Sequence, residues 1–304
     1  MLFQTAVAQA LKKIFPPSGK LFKQLRLINQ YVSSFKRLKK WRQLEFGINI
    51  TDHCNLNCAC CSVFSPVSDE VFYSVETFKK DCLRLFQLDG EKISKITLAG
   101  GEPLLHPQIT AFFDTARECF NNLGIGGGGV SLITNALLLP KMGEAFWLNC
   151  KKNKVDISIT KYPINIDCVA IEKTAKKYDV KIIYQDDTNL VTKTTNYMPL
   201  DLTGKQNIKK EFRLCFGANK CITLSNGRLY TCSLIPSVHI FNKYFNKNLI
   251  VSEADSIDIY AVESMDQIFD FLCKPIPFCR YCNWEKCETQ IPWHTSGRQI
   301  SEWT

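Results

Sequence analysis

The sequence predicts an α/β fold in which a parallel sheet curls into a full or partial barrel. Three observations carry this. Short apolar runs of strand length alternate with helical patterns over residues 46–184. The residues richest in chemistry fall where those runs end, which is the functional rim of a parallel βα array. The 304 residues, 45% hydrophobic and 12% aromatic, suffice to bury a catalytic-sized core.

Residues 46–51 read as a buried strand, followed by a cysteine-rich loop and a helix over 75–88. The next strand, 93–100, runs into Gly100-Gly101-Glu102-Pro103, and a helix follows near 108–120. Then come a strand at 130–134, a helix at 141–150, a strand at 155–160, a helix at 166–178 and a strand at 180–184. The thiol loop, the Gly100–Pro103 segment, Thr134-Asn135 and Lys161 all fall at C-terminal strand ends. The glycine run 124–129 follows a helix and precedes a strand, the reverse of a phosphate-binding loop, so it reads as a flexible connection. Beyond Thr188 the pattern loosens, and 188–214 is polar and irregular. A second cysteine group spans Cys215 to Cys287, around the hairpin signal Ser225-Asn226-Gly227 and a helix near 261–272. It reads as a small metal-stapled module. The expected divisions are a basic helical extension (1–44), the barrel (45–205) and the module (206–304).

Charge is unevenly spread. The first 44 residues hold ten of the 38 basic side chains and none of the 29 acidic ones, so the rest of the chain is close to neutral. Helical spacing over 1–15 and 20–42 predicts two amphipathic basic helices. They suit either a solvated face or an anionic surface such as lipid headgroups. No apolar run approaches the roughly 20 residues that cross a bilayer, and no secretory signal pattern opens the chain. The expected location is cytoplasmic, with peripheral membrane contact through residues 1–44. Fifteen cysteines, an odd number, point in a reducing compartment to metal or chemistry rather than disulfides.

Cys54, Cys58 and Cys61 stand in C-x3-C-x2-C spacing after Thr51-Asp52-His53. Three thiolates leave one iron of a [4Fe–4S] cube without a protein ligand, whereas ferredoxin clusters take four. A zinc knot also prefers four. This spacing, with Cys54-Asn55-Leu56-Asn57-Cys58 and the later Gly100-Gly101-Glu102-Pro103, resembles the signature of radical S-adenosylmethionine (SAM) enzymes. The resemblance implies a partial (β/α)6 TIM-like barrel. It implies that Gly100, Gly101, Glu102 and Pro103 meet the methionine amino group, that Thr134 and Asn135 form the matching strand end, and that Ser158 faces the SAM ribose. It also implies reductive cleavage of SAM to a 5′-deoxyadenosyl radical that abstracts a substrate hydrogen, fed by a flavodoxin- or ferredoxin-type donor. The residue before the third cysteine is often aromatic in this family. Here it is Cys60, which reads as a small packing residue.

Cys215, Cys232, Cys279 and Cys282 resemble the ligands of a SPASM or twitch extension, which implies one auxiliary [4Fe–4S] cluster. Zinc on the same four thiols is the rival. Cys221 reads as core and Cys273 as structural, with Cys221 or Cys287 still open as a replacement ligand. Cys60, Cys82, Cys119, Cys150 and Cys168 read as packing residues, although a thiol hydrogen donor stays open among them. His106 reads as a surface residue, and Trp293 and Trp303 have no assignment. The Thr51–Cys54 and Phe64-Ser65-Pro66 segments, with Pro277–Cys282, resemble radical SAM proteins of bacterial surface-glycan biosynthesis. The single auxiliary cluster resembles aminocyclitol dehydrogenases. Both imply oxidation or epimerisation of a carbohydrate or nucleotide-sugar, and no specific nucleic-acid partner. A ribosomal-peptide maturase and a non-enzymatic metal-binding regulator are the alternatives.

Overall fold

The computed structural model describes residues 36–122, 128–185, 194–215, 217–218 and 220–304. The helix expected over 1–15, most of that over 20–42, and the glycine run over 124–127 lie outside these residues.

Strands β1 (Leu44–Asn49), β2 (Ile93–Ala99), β3 (Gly129–Thr134), β4 (Val155–Ile159) and β5 (Ile182–Tyr184) alternate with helices α1 (Val75–Asp89), α2 (Ile109–Asn122), α3 (Glu144–Lys152) and α4 (Cys168–Lys177). These are the elements expected, within a few residues. Neighbouring strands pair in parallel throughout. In β1 the buried residues Leu44, Phe46 and Ile48 alternate with half-buried Glu45, Gly47 and Asn49. One face therefore packs on helices while the other lines an interior. Helix α1 starts where Ser74 accepts the Thr77 N–H at 3.2 Å, and it buries Phe78, Cys82, Leu85 and Phe86 on one face.

The chain then forms β6 (Thr194–Tyr197), α5 (Ile208–Leu214), β7 (Thr223–Ser225), β8 (Arg228–Tyr230), α6 (Val238–Phe245), β9 (Ser256–Asp258), α7 (Met265–Leu272) and β10 (Glu288–Pro292). The main sheet runs β5-β4-β3-β2-β1-β7-β8-β9, and β6 pairs with β10 in a separate two-stranded sheet. Strand β7 is the sixth parallel strand. It enters beside β1, where the Gly47 N–H reaches the Ile222 carbonyl at 2.8 Å. Strands β8 and β9 follow antiparallel. Among the described residues no pairing joins β5 to β9, so the arc is open.

Elements β6 and α5 arise where the sequence looked irregular, and α6 was not expected. Helix α5 has only seven residues, too short for a periodic signal, though Asn207 caps it by accepting the Lys210 N–H at 3.0 Å. A second core, separate from the one under the sheet, joins Phe64 of the cysteine loop to Leu200, Phe241, Phe278, Tyr281 and Trp303. In the basic segment, Leu38 is fully buried in the main core. Arg42 pairs with Asp270 at 3.2 Å and Asp266 at 3.7 Å on α7. No helix among the described residues is long and apolar enough to cross a membrane.

The β7–β8 turn is the Asn-Gly hairpin the sequence signals, with left-handed φ at Asn226 (48°) and Gly227 (73°). Asp81 of α1 holds it, accepting the Gly227 N–H and the Tyr260 hydroxyl, each at 2.7 Å. Asp81→Ala strands this buried N–H and is expected to cost about 1–3 kcal/mol in urea unfolding. An unchanged midpoint would remove Asp81 as the tie between hairpin and barrel.

Candidate active site

The cysteine loop follows β1, and the Gly100–Pro103 segment follows β2, so parallel pairing sets them side by side at one rim. They touch through backbone. The Gly101 N–H donates to the Thr51 carbonyl at 2.8 Å, and the Glu102 N–H to the His53 carbonyl at 2.9 Å. A Cβ on Gly100, whose φ is 142°, would stand 2.3 Å from the Thr51 oxygen, and one on Gly101 only 2.0 Å from the His53 oxygen. Glycine is therefore required at both positions.

Glu102 is buried and braces the next strand end. It accepts the Thr134 hydroxyl at 2.7 Å, the Asn135 N–H at 2.8 Å and the Leu104 N–H at 3.0 Å. The Asn135 amide in turn donates to Asn55 at 2.7 Å and approaches the Cys54 sulfur at 3.8 Å. A chain of contacts thus runs from β2 through β3 to the cysteine loop.

A cavity of about 550 Å³ opens over this rim. Cys54, Cys58, Cys61, Gly100, Gly101, Thr134 and Asn135 line it. Glu102, Pro103 and Ser158 lie outside the lining. Ser158 pairs in register with Ile133, a lining residue, one side-chain repeat below Thr160, which does line the cavity. The remaining wall is mixed: Asn49, Lys95, Thr97, Gln185, Asn196 and Lys220 are interleaved with apolar residues such as Phe46, Leu56, Met198 and Ile222.

Several expectations shift. Lys161 lies with its ammonium 4.1 Å from the Tyr184 ring centre, and its neighbours Thr160 and Tyr162 face the cavity instead. Cys221, expected in the core, is exposed and lines the cavity. Its N–H bonds back to Gly217 at 3.0 Å in a turn ahead of β7, so it precedes the strand rather than joining it. His106 is buried, not on the surface. Its Nδ1 accepts the Gln108 N–H at 3.0 Å, so its Nε2–H donates to the Tyr73 carbonyl, also at 3.0 Å. Tyr162 and Trp293, missed by the sequence reading, line the cavity with ring centroids 5.7 Å apart. The one signal for Tyr162 was its place just past a strand end.

The thiols carry the electrostatics of buried, mutually close acids. Burial is the first cause that pushes Cys54 up to about 12, with Glu102, Cys61 and Cys58 adding to it and the Leu56 N–H opposing. Cys60 is pushed to about 11 by burial and then by Glu302, Cys61 and Glu288. Cys215, Cys232, Cys279 and Cys282 form a second group in which each thiol lies within electrostatic reach of others. Burial lifts Cys232 to about 12 and Cys279 to about 11, and backbone N–H groups of Ile235, Leu234 and Ile276 oppose it.

Among the described residues no three His, Cys, Asp or Glu side chains close around a single metal ion. Grouped thiols with backbone N–H donors on the Cys54 and Cys215 sulfurs are a donor set that suits iron–sulfur ligation. The buried Trp293 indole N–H, without a partner in the protein, fits an acceptor-rich group in the cavity.

Burial lifts the Glu102 carboxyl from 4.5 to about 7, and the bonds from Asn135, Thr134 and Leu104 oppose it. Between those values the folded chain keeps a proton that the unfolded chain has released. The contribution of this group to stability is therefore full below 4.5 and is lost as pH rises through about 7. Glu102→Gln removes the titration. In urea unfolding across that window, wild-type stability relative to the Gln variant is expected to fall with rising pH. Parallel curves would count against it.

Residues 48–179 match the Radical SAM superfamily. The GTP 3′,8-cyclase of Chlorobaculum tepidum is 34% identical over 99 residues, 32% of this chain and 27% of the cyclase. The GTP 3′,8-cyclase of Sulfurovum sp. is 27% identical over 97 residues, 32% of this chain and 28% of that protein. The chain thus spans less than a third of the length of these relatives. Among solved structures, BtrN in complex with AdoMet and 2-DOIA is 14% identical with a TM-score of 0.48, covering 79% of this chain and 94% of BtrN. Residues 48–179 thus carry a Radical SAM domain.

Proposed function

We propose that this chain is an enzyme that cleaves SAM reductively and removes a hydrogen atom from a polar, carbohydrate-type or nucleotide-sugar substrate, which it oxidises or epimerises. One observation carries the reading: three thiols in C-x3-C-x2-C spacing, two side-chain-free strand-end residues and Asn135 all line a single cavity. In this reading Cys54, Cys58 and Cys61 hold a [4Fe–4S] cluster with one iron open for SAM. Cys60 lines the same cavity and feels Glu302, Cys61 and Glu288, so its exclusion from the ligand set rests on the C-x3-C-x2-C spacing.

When bound, the reduced cluster supplies the electron that splits SAM into methionine and a 5′-deoxyadenosyl radical. Gly100 and Gly101 offer backbone close to the methionyl amino group, with Pro103 setting the turn behind them. Glu102 braces the strand ends rather than lining the cavity. Thr134 and Asn135 form the adjoining wall, and Ser158 supports it from below. The interior excludes water while SAM and substrate fill it.

Cys215, Cys232, Cys279 and Cys282 hold, in this reading, an auxiliary [4Fe–4S] cluster. Such a cluster would supply an acceptor for an electron from the substrate, which would favour net oxidation. The first electron comes from a flavodoxin- or ferredoxin-type protein, which suits a cytoplasmic location. Lys95 and Lys220, with the amide and hydroxyl side chains of a mixed wall, support a hydroxylated substrate bearing an anionic group. The relatives named for GTP lend weight to the nucleotide-bearing end of that range.

Anaerobic reconstitution is expected to give about eight irons per chain, and about four in a Cys54→Ala/Cys58→Ala/Cys61→Ala variant that makes no 5′-deoxyadenosine. Continued 5′-deoxyadenosine formation by that variant would sink the mechanism, and bound zinc would support a regulator. With deuterated candidates, label is expected to enter 5′-deoxyadenosine from sugars or nucleotide-sugars. Transfer from a peptide alone would overturn the substrate class.

A further inference from the structure

Tyr162 and Trp293 wall the cavity beside Cys58, and nothing above gives them a chemical role. Tyr162 lies three residues past β4 and lines the cavity together with Cys58, within electrostatic reach of Cys58, Cys61 and Cys54. Between a tyrosine hydroxyl and a sulfur, the hydroxyl is the donor and the sulfur the acceptor. Trp293 packs edge-on against Tyr162, and its indole N–H is buried without a protein partner. Its place is fixed by backbone. The Ala59 N–H donates to the His294 carbonyl at 3.0 Å, the Ser296 N–H to the Asn57 carbonyl at 2.8 Å, and Cys58 bridges to Thr295. Two donors from distant parts of the sequence are thereby held against one edge of the thiol triad.

We infer that Tyr162 and Trp293 are hydrogen-bond donors to the sulfurs of the SAM-binding cluster at Cys58 and raise its reduction potential. The inference rests on the radical SAM reading and deepens it. One-electron reduction adds negative charge to the cluster and its sulfurs, so a donor there binds the reduced form more strongly and favours it. Tyr162 acts directly on the Cys58 sulfur. Trp293 holds the Tyr162 ring and directs its own N–H toward the acceptors that an assembled cluster brings.

The test is an anaerobic redox titration of the reconstituted full chain, followed by the electron paramagnetic resonance signal that changes on addition of SAM. Tyr162→Phe keeps the ring and removes the donor. It is expected to shift the equilibrium roughly tenfold toward the oxidised cluster, equal to ~59 mV for a one-electron couple, with iron and sulfide content unchanged. Trp293→Phe is expected to shift it a few-fold in the same direction, and it decides the matter if Tyr162→Phe takes up no iron. Midpoints equal to or above wild type in the iron-loaded variants overturn the inference alone. A wild-type chain that takes up no cluster overturns the radical SAM reading and the inference with it.

Discussion

The site depends on the close approach of two backbones. The strand end at Gly100-Gly101 lies against Thr51–His53, held by hydrogen bonds of 2.8 and 2.9 Å and passable only without side chains. That contact sets the start of the cysteine loop against β2. Glu102 then passes the constraint to β3, and Asn135 returns it to the loop at Asn55 and Cys54. The thiol loop has little regular structure of its own, so its geometry is borrowed from the sheet. Its cost is a carboxyl buried among three donors, which shifts its protonation instead of leaving an unpaired charge.

The C-terminal region is not a separate appendage. Its hairpin extends the barrel sheet through β7, and Phe64 of the cysteine loop sits in its core beside Trp303. The Trp303 indole donates to the Cys61 carbonyl at 2.9 Å, and residues 294–296 pair with 57–59. The first thiol group is therefore gripped from two sides, by β2 and β3 on one and by residues 293–303 on the other.

Much of this was legible in the sequence. Strands β1 to β5 and helices α1 to α4 announced themselves because each alternates apolar residues at a strand or helix period, and Asn226-Gly227 allowed one tight turn. The triad, Gly100-Gly101 and Thr134-Asn135 were found through their resemblance to a family signature, with their place at consecutive strand ends in agreement, and they do line one cavity. What escaped detection depends on distant partners. Tyr162 and Trp293 meet only in the fold, and no local pattern links them. Lys161 was placed at a strand end, but just past β4 its neighbours Thr160 and Tyr162 line the cavity instead. Cys221 looked like strand core because its neighbours are apolar, while a turn from Gly217 holds it outside. His106 was misplaced because burial by Tyr73 and Phe112 is invisible in its own segment.

The pairing of residues 57–59 with 294–296 has a consequence for synthesis. Asn57 and Ser296 are 239 positions apart, and Cys61 and Trp303 are 242 apart. At ~5–20 residues per second, a ribosome needs roughly ten to fifty seconds to make that intervening stretch. Throughout that interval three soft nucleophiles stand at the rim of a nascent barrel without their second wall. Metal loading that precedes the synthesis of residues 293–303 therefore meets a half-built receptacle, open to oxidants and to scavenging ions.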